Sequence, residues 1–255
     1  MTQLAATLRS SMADAFARRA SFWSQVGTMV ANDAAWIAFW VIFFHRVGAV
    51  RGWDQHRILL LFAVLTTSAG FVLGVLSNTK RIPQLVNDGA LDEVLALPVS
   101  PLPHLLVRRI DSINLGDVLF GIVLFAVAGH PNPERTLVFV VACIASAVLL
   151  TGFLVATGSL VFFTGSGQLG DMSLHSMLLL ANYPAEVFTG YTRALLYTAV
   201  PAAFVAGVPA RLVDHFTVTK GAALLTAAVV MAVLGWTVFS LGLRRYTSGS
   251  AWSRG

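Results

Sequence analysis

The chain has 255 residues, of which 56% are hydrophobic and only 11% are charged, and its mean hydropathy is +0.76. Soluble domains carry about 25% charged residues, so this composition excludes a water-facing protein and indicates a polytopic membrane protein. The net charge of +5 does not point to nucleic acid here, because positive charge in membrane proteins marks cytoplasmic loops and contacts anionic lipid.

Residues 2–24 predict a helix lying on the membrane surface, within an N-terminal unit of residues 1–27. Its apolar residues recur at every fourth position and form a stripe, made of Leu4, Leu8, Met12 and Phe16. An ordinary cytoplasmic tail is the alternative. No cleavable signal peptide is expected, because Asp14, Arg18 and Arg19 stand where its apolar core should be.

Apolar segments predict membrane-spanning helices at about residues 28–47, 58–77, 112–129, 136–163 and 221–243. Gly70 and Gly74 in the second span form a small-xxx-small pair that lets another helix approach closely. Residues 164–176 are polar and glycine-rich and predict a loop. The following apolar stretch, to Ala210, is broken by prolines and charges. Because irregular backbone at membrane depth needs protein or a water-filled cavity around it, we expect a fifth span followed by a re-entrant or broken helix.

The longest polar interruption is the segment 78–111. Asn87 or Asp88 is expected to cap a helix of about two turns, and Pro98 to end it. Pro101 and Pro103 are expected to keep the exit extended. Leu91, Val94 and Leu95 form its apolar stripe, with Asp88, Asp92 and Glu93 at the rim. Such a helix is too short to be stable alone in water, so it needs a surface, either another protein or the ends of the spans.

Lys and Arg predict the orientation of the chain. The two terminal tails and the segment 78–111 carry ten of them, against six in the loops of the other side. The positive-inside rule therefore places both termini and the segment 78–111 in the cytoplasm. The predicted fold class is an all-α membrane protein with six transmembrane helices in a single domain, residues 1–255.

Few residues can carry chemistry. No Gly-x-x-x-x-Gly-Lys-Ser/Thr motif occurs, so the chain has no P-loop, and its scattered histidines and single Cys143 predict no metal site. Ser166 and His175 lie in one predicted loop, which disfavours a membrane serine protease. Ionisable groups within apolar segments usually face the bundle interior or a cavity, and here they are Asp33, Asp117, Glu186 and Arg193.

These groups have two interpretations. Glu186 and Arg193 lie two helical turns apart and could pair or face a common vestibule, or they could be structural. Asp33 and Asp117, with Trp36 and Trp40, could line a translocation path or could be packing residues.

Three motifs resemble those of type-2 ABC exporter permeases. The first is NDGALDEVLALPVS at residues 87–100. The second is YPAEVFTG at residues 183–190, followed by Arg193, Val200-Pro201 and Pro209-Ala210. The third is LGLRRYTS at residues 241–248. The polar run 84–87 departs from the family pattern, which leaves the start of the cytoplasmic helix open.

The resemblance implies that this helix is a coupling helix that docks on a cytoplasmic ATP-binding subunit. The coupling residues are then Asp88, Gly89, Leu91, Asp92, Glu93, Val94, Leu95 and Pro98. Two ATP-binding subunits would hold the ATP and Mg, so no cofactor and no catalysis are expected in this chain. A second permease chain, identical or a sister chain, would complete the path, surrounded by membrane lipid.

The resemblance also implies an outer gate in the broken region, made of Tyr183, Pro184, Glu186, Arg193 and Pro201. It implies export across a bacterial inner membrane, and an amphiphilic drug- or lipid-like substrate is expected. Two alternatives stay open. A stand-alone secondary transporter or channel would use Asp33, Asp117 and Glu186 for proton coupling. A membrane enzyme would need a catalytic constellation that the sequence does not offer.

Overall fold

A computed structural model describes residues 2–17 and 19–246; Arg18 and the tail 247–255, with Arg254, lie outside the described residues. The described part is helical and contains no strand, only an isolated bridge between Val50 and Trp53. The first helices are α1 (Thr2–Ala17), α2 (Arg19–Val47), α3 (Gln55–Val75), α4 (Ile82–Asn87), α5 (Leu91–Leu95), α6 (Pro101–Val107) and α7 (Ser112–Ala128). They are followed by α8 (Pro133–Gly158), α9 (Val161–Thr164), α10 (Gln168–Ala181), α11 (Gly190–Leu195), α12 (Val208–Asp214) and α13 (Val218–Leu243). Short 3₁₀ helices cover Ser77–Arg81 and Ala185–Val187, and a π-helical turn covers Ala203–Gly207.

Four helices of the described chain are long and apolar enough to cross a membrane: Phe22–Val47, Gln55–Val75, Pro133–Thr164 and Val218–Leu243. A fifth candidate joins α6 to α7 through an 83° bend. These five helices coincide with the predicted spans one, two, four, six and three. The helix α10 has 14 residues, about 21 Å, and is shorter than the ~30 Å hydrocarbon core.

The predicted loop at residues 164–176 is wrong, because α10 begins at Gln168. The misleading glycines serve close packing. A Cβ on Gly170 would meet Pro83 at 2.8 Å, and one on Gly167 would meet the same proline at 2.9 Å. The surface helix predicted over residues 2–24 corresponds to α1 (Thr2–Ala17) and the first residues of α2, which begins at Arg19, and all the described residues of that range are helical.

Glycines set the closest helix contacts. A Cβ on Gly70 would meet the Cβ of Asp117 at 2.7 Å, and one on Gly74 would meet Leu115 at 3.1 Å. The predicted close approach at this pair is therefore confirmed, with α7 as the partner helix. Gly152 of α8 and Gly235 of α13 face each other, and the Cβ of an alanine at Gly152 would overlap the backbone of α13.

The two ends of the bundle differ. One end holds α1, the short helices α4–α6 and Tyr246: Ser11 Oγ donates to the carbonyl of Arg108 at 2.9 Å, and the rings of Tyr246 and Phe162 lie 6.0 Å apart. The other end holds the turns before α3, α8 and α13, where Arg57 Nε donates to Asp214 Oδ2 at 2.8 Å. We call the end with α1 and α4–α6 the basic end, and the end with the Arg57–Asp214 pair the clamped end.

Candidate functional site

The segment 78–111 folds as a series of short helices against the basic end of the spans. Polar side chains fasten its two ends to each other. Asn78 Nδ2 donates to the carbonyl of Leu105 at 2.8 Å, and Ser77 Oγ donates to the carbonyl of Arg109 at 2.7 Å. Lys80 Nζ forms an ion pair with Asp111 Oδ2 at 2.7 Å. The segment is therefore a built platform and not a free loop.

The helix predicted after Asn87 differs from α5 in its length and in its N-cap. Its core, α5, has five residues and begins without a side-chain cap. Asn87 ends α4 and Asp88 caps the C-terminus of that helix, so neither is the N-cap. Gly89 has φ of +71°, a conformation that glycine adopts without strain, and it reverses the chain between α4 and α5.

The predicted extended exit at Pro101 and Pro103 is also wrong. Pro101 opens α6 at its first position, where a missing backbone N–H costs nothing. Pro98 lies three residues beyond the end of α5, in the bend that leads to α6.

The apolar stripe of α5 is split between two environments. Leu91 and Val94 are fully buried, in one apolar cluster with Ile82 and Leu105 and with two residues of the spans, Val155 and Phe239. Leu95 is 40% exposed, and Leu97 is 42% exposed. The ends of the spans therefore cover one side of α5 and leave the other side, with Leu95, Leu97 and Pro98, open.

Acidic residues precede these exposed leucines in the same segment. Asp88 and Glu93 are exposed, and Glu93 Oε2 accepts a hydrogen bond from Arg108 Nη2 at 2.8 Å. Asp92 is partly buried and faces Tyr246. Burial and the Asp92 carboxylate together raise the pKa of Tyr246 to about 12. We call the surface formed by Asp88, Glu93, Leu95, Leu97 and Pro98 the α5 face.

The second candidate site is the irregular segment 182–207 at the clamped end. Glu186 is its centre. Its Oε2 accepts a hydrogen bond from Trp53 Nε1 at 2.9 Å, and its Oε1 forms an ion pair with Arg211 Nη1 at 3.3 Å. Arg51 Nη1 donates to its backbone carbonyl at 3.0 Å, and Tyr197 Oη donates to Oε1 at 3.4 Å. One carboxylate thus ties the irregular segment to the turn before α3 and to α12.

Glu186 pairs with Arg211 and not with Arg193, which is exposed. Sequence reasoning missed Arg211 and Trp53 as partners. A basic residue and a tryptophan in polar turns were visible signals, but nothing in the sequence connected them to residue 186. The guanidinium of Arg211 also lies 5.0 Å above the Trp53 ring, and Trp53 is fully buried.

The other predicted gate residues lie within the packing of the same segment. Tyr183 is half-buried, and its ring meets that of Trp40 at 5.9 Å. Pro184 and Pro201 are buried. Pro201 directly precedes the helical piece that contains the π turn Ala203–Gly207. The prolines thus break the helix where the segment changes direction.

Asp33 and Asp117 are brought together, although 84 positions separate them in sequence. They are 6% and 5% exposed, their carboxyl groups are adjacent, and Asp33 Oδ2 and Asp117 Oδ1 have no hydrogen-bond partner among the described residues. The pair lies between α2 and α7, beside Gly70 of α3. Trp40 is buried against Phe44, and Trp36 is half-buried nearby. Among residues 2–17 and 19–246 no three His, Cys, Asp or Glu side chains are grouped as metal ligands.

Comparison with known proteins identifies the family. The sequence model of the family described as ABC-2 family transporter protein matches residues 30–250. Searches of curated proteins and of solved structures give no match. The matched region covers most of the first span, all the later spans, the short helices α4–α6 and the irregular segment. The chain is therefore a multi-pass membrane permease that belongs to the ABC-2 family of ABC transporters.

Proposed function

We propose that this chain is the membrane subunit of an ATP-driven exporter and that the α5 face docks on a cytoplasmic ATP-binding subunit. Permeases of this family generally act with such a subunit. The observation that carries the proposal is the division of α5 into an anchored side and an open side. Exposed leucines within an acidic rim resemble the apolar core and polar rim of a protein interface.

The anchored side gives the proposal a mechanism. Leu91 and Val94 belong to the buried cluster that includes Val155 of α8 and Phe239 of α13. Closure of the ATP-binding subunits would move α5, and that displacement would reach both spans through this buried cluster. Alternating access then follows from two packings of the spans that nucleotide binding populates differently.

The remaining features complete the proposal. The basic end is cytoplasmic, the chain crosses the bacterial inner membrane six times, and the irregular segment around Glu186 is the outer gate. Two ATP-binding subunits hold ATP and Mg, and a second permease chain completes the path. The substrate is an amphiphile of drug or lipid type, in keeping with the apolar spans.

Co-purification of the chain with its ATP-binding subunit tests the docking surface. Leu95→Asp and Leu97→Asp place a charge on the open side, and we expect each to reduce the recovered ATP-binding subunit at least ~10-fold, as for a central interface residue. Leu169→Asp is the matched control, because Leu169 is 45% exposed in the first turn of α10. It should retain the partner.

Two results would contradict the proposal. The first is unchanged association and transport in both α5-face variants. The second is transport by the chain alone in vesicles that carry a proton gradient and no ATP-binding subunit, which would favour a secondary transporter. Leu91→Asp is a poor test, because Leu91 is fully buried and the variant would lose folded protein as well.

A further inference from the structure

Asp33 and Asp117 form a pair of buried acids within the spans, away from the α5 face and from Glu186. Asp33 lies in the middle of α2, and Asp117 lies in the second turn of α7. No group of the described chain donates a hydrogen bond to Asp33 Oδ2 or to Asp117 Oδ1, although both atoms are buried. Buried polar atoms normally have a partner, so these two oxygens require a donor.

Tight helix packing surrounds the pair. A Cβ on Gly70 of α3 would meet the Cβ of Asp117 at 2.7 Å, and one on Gly116 of α7 would meet the carbonyl of Val26 in α2 at 2.9 Å. These contacts press α7 between α2 and α3 beside the two carboxyl groups. Two adjacent carboxylates without a hydration shell repel each other strongly, so they do not both ionise.

The neighbouring helices supply no cation to compensate such a double charge. Between Arg19 and His45, α2 carries no other ionisable residue, α3 carries none after Arg57, and α7 carries none besides its own aspartate. Within residues 2–17 and 19–246 neither carboxyl group of the pair forms an ion pair. The other charge that acts on the pair is the carboxylate of Asp111, which Lys80 neutralises at 2.7 Å.

A proton supplies the missing donor. Protonation turns one carboxyl group into an O–H donor, and the adjacent carboxylate is an acceptor for it. One proton is sufficient, because a hydrogen bond from an acid to a carboxylate is charge-assisted and stronger than one between two neutral groups.

We propose that Asp33 and Asp117 form a proton-binding site that holds one shared proton at neutral pH and keeps one negative charge. The site joins the middle of α2 to α7, so the packing of α2 on the bundle depends on the bound proton. The proposal is independent of any ATP-binding partner and of transport, since it concerns only the charge of the folded chain.

The pH dependence of unfolding tests the site, with the full-length chain in detergent micelles. In the unfolded chain the two aspartates are separated and have a pKa of about 3.9, so both are ionised between about pH 5 and about pH 7. The folded chain then holds one proton more than the unfolded chain, and its stability falls as the pH rises. The reference is the double variant Asp33→Asn/Asp117→Asn, which keeps every histidine but has neither carboxyl group. Relative to it, the unfolding equilibrium constant of the wild type should rise about tenfold per pH unit.

Two single variants separate the parts of the claim. Asp117→Asn should follow the double variant, because its amide N–H donates to Asp33 in place of the proton. Glu134→Gln is the control, because Glu134 is an exposed acid in the first turn of α8, and it should keep the tenfold dependence. Infrared spectroscopy of the wild type needs no variant. The C=O absorption of the folded chain at neutral pH should contain one protonated carboxyl group, which is lost on unfolding.

Four results would overturn the proposal. No difference in pH dependence between the wild type and the double variant would mean that both carboxyl groups are ionised, and a hundredfold difference per pH unit would mean that each holds its own proton. A tenfold dependence that persists in Asp117→Asn would assign the proton to Asp33 alone. A stability that follows the sodium concentration at constant pH and ionic strength would place a metal cation between the two groups. If the variants do not fold, an infrared count other than one protonated carboxyl group overturns the proposal by itself.

Discussion

Replacement of Glu186 tests whether one carboxylate holds the irregular segment at the clamped end. Glu186→Ala removes the acceptor of the Trp53 indole N–H, which is fully buried. An unpaired buried donor costs about 1–3 kcal/mol. The same variant removes the counter-ion of Arg211. The Arg211 and Glu186 side chains are 30% and 14% exposed, so solvent screens this ion pair and its loss costs only about 1 kcal/mol.

The expected destabilisation by Glu186→Ala is therefore about 2–4 kcal/mol. Glu186→Gln keeps an oxygen acceptor for Trp53 and loses only the charge, so we expect about 1 kcal/mol. A double-mutant cycle that combines Glu186→Gln with Arg211→Gln should give a coupling energy of about 0.5–1.5 kcal/mol.

Equilibrium unfolding in detergent micelles, followed by a signal from the whole chain, measures these differences. Glu134→Ala is the control, because Glu134 is an exposed acid in the first turn of α8. It should lose less than about 1 kcal/mol, the contribution of a charge at a helix N-terminus. If Glu186→Ala costs no more than Glu186→Gln, the indole hydrogen bond does not hold the segment.

Three further results are expected. Gly152→Ala should destabilise the bundle by about 1–3 kcal/mol, because the added Cβ overlaps the backbone of α13. Gly27→Ala is the control and should be neutral or stabilising, because its Cβ meets nothing within 4 Å. Equal melting temperatures of the two variants would contradict the prediction. Asp117→Asn should preserve stability, because its amide can donate to the adjacent Asp33 carboxyl, while Asp117→Ala should cost about 1–3 kcal/mol, and equal losses would refute the pairing. The pKa of Tyr246 is about 12 in the folded chain against about 10 when unfolded. Between these values the unfolded state binds fewer protons, so the stability of the fold should decrease as the pH rises from about 10 to about 12. The difference between the ultraviolet titrations of the wild type and Tyr246→Phe measures this pKa, and a value near 10 would contradict the prediction.

Local patterns in the sequence were sufficient to predict the spans and one close helix contact. Span boundaries follow from hydropathy, and the Gly70–Gly74 pair predicted a close helix approach because small residues at that spacing share one face. The predicted N-cap of α5 was wrong for a local reason. Gly89 reverses the chain after Asn87 and Asp88, so these residues end one helix instead of starting the next.

Other features depend on contacts between residues far apart in sequence. The partners of Glu186 lie 133 positions before it and 25 after it, and no pattern around residue 186 contains them. Leu91 and Leu95 look equivalent on a helical wheel. Their opposite environments are set by Val155 and Phe239, which only the assembled bundle brings to this site.

The face-to-face glycines of α8 and α13 have a mechanical consequence. Backbones in such close contact cannot slide past each other without overlap, and they lose this packing if they separate, so the two helices behave as one stiff unit. Near the start of α8, Arg135 bonds the carbonyls of Val213 and Asp214, which fixes the turn before α13 to the same body. A displacement of one end of this helix pair therefore tilts the whole pair. It moves the opposite end, which lies about 39 Å away for a 26-residue helix.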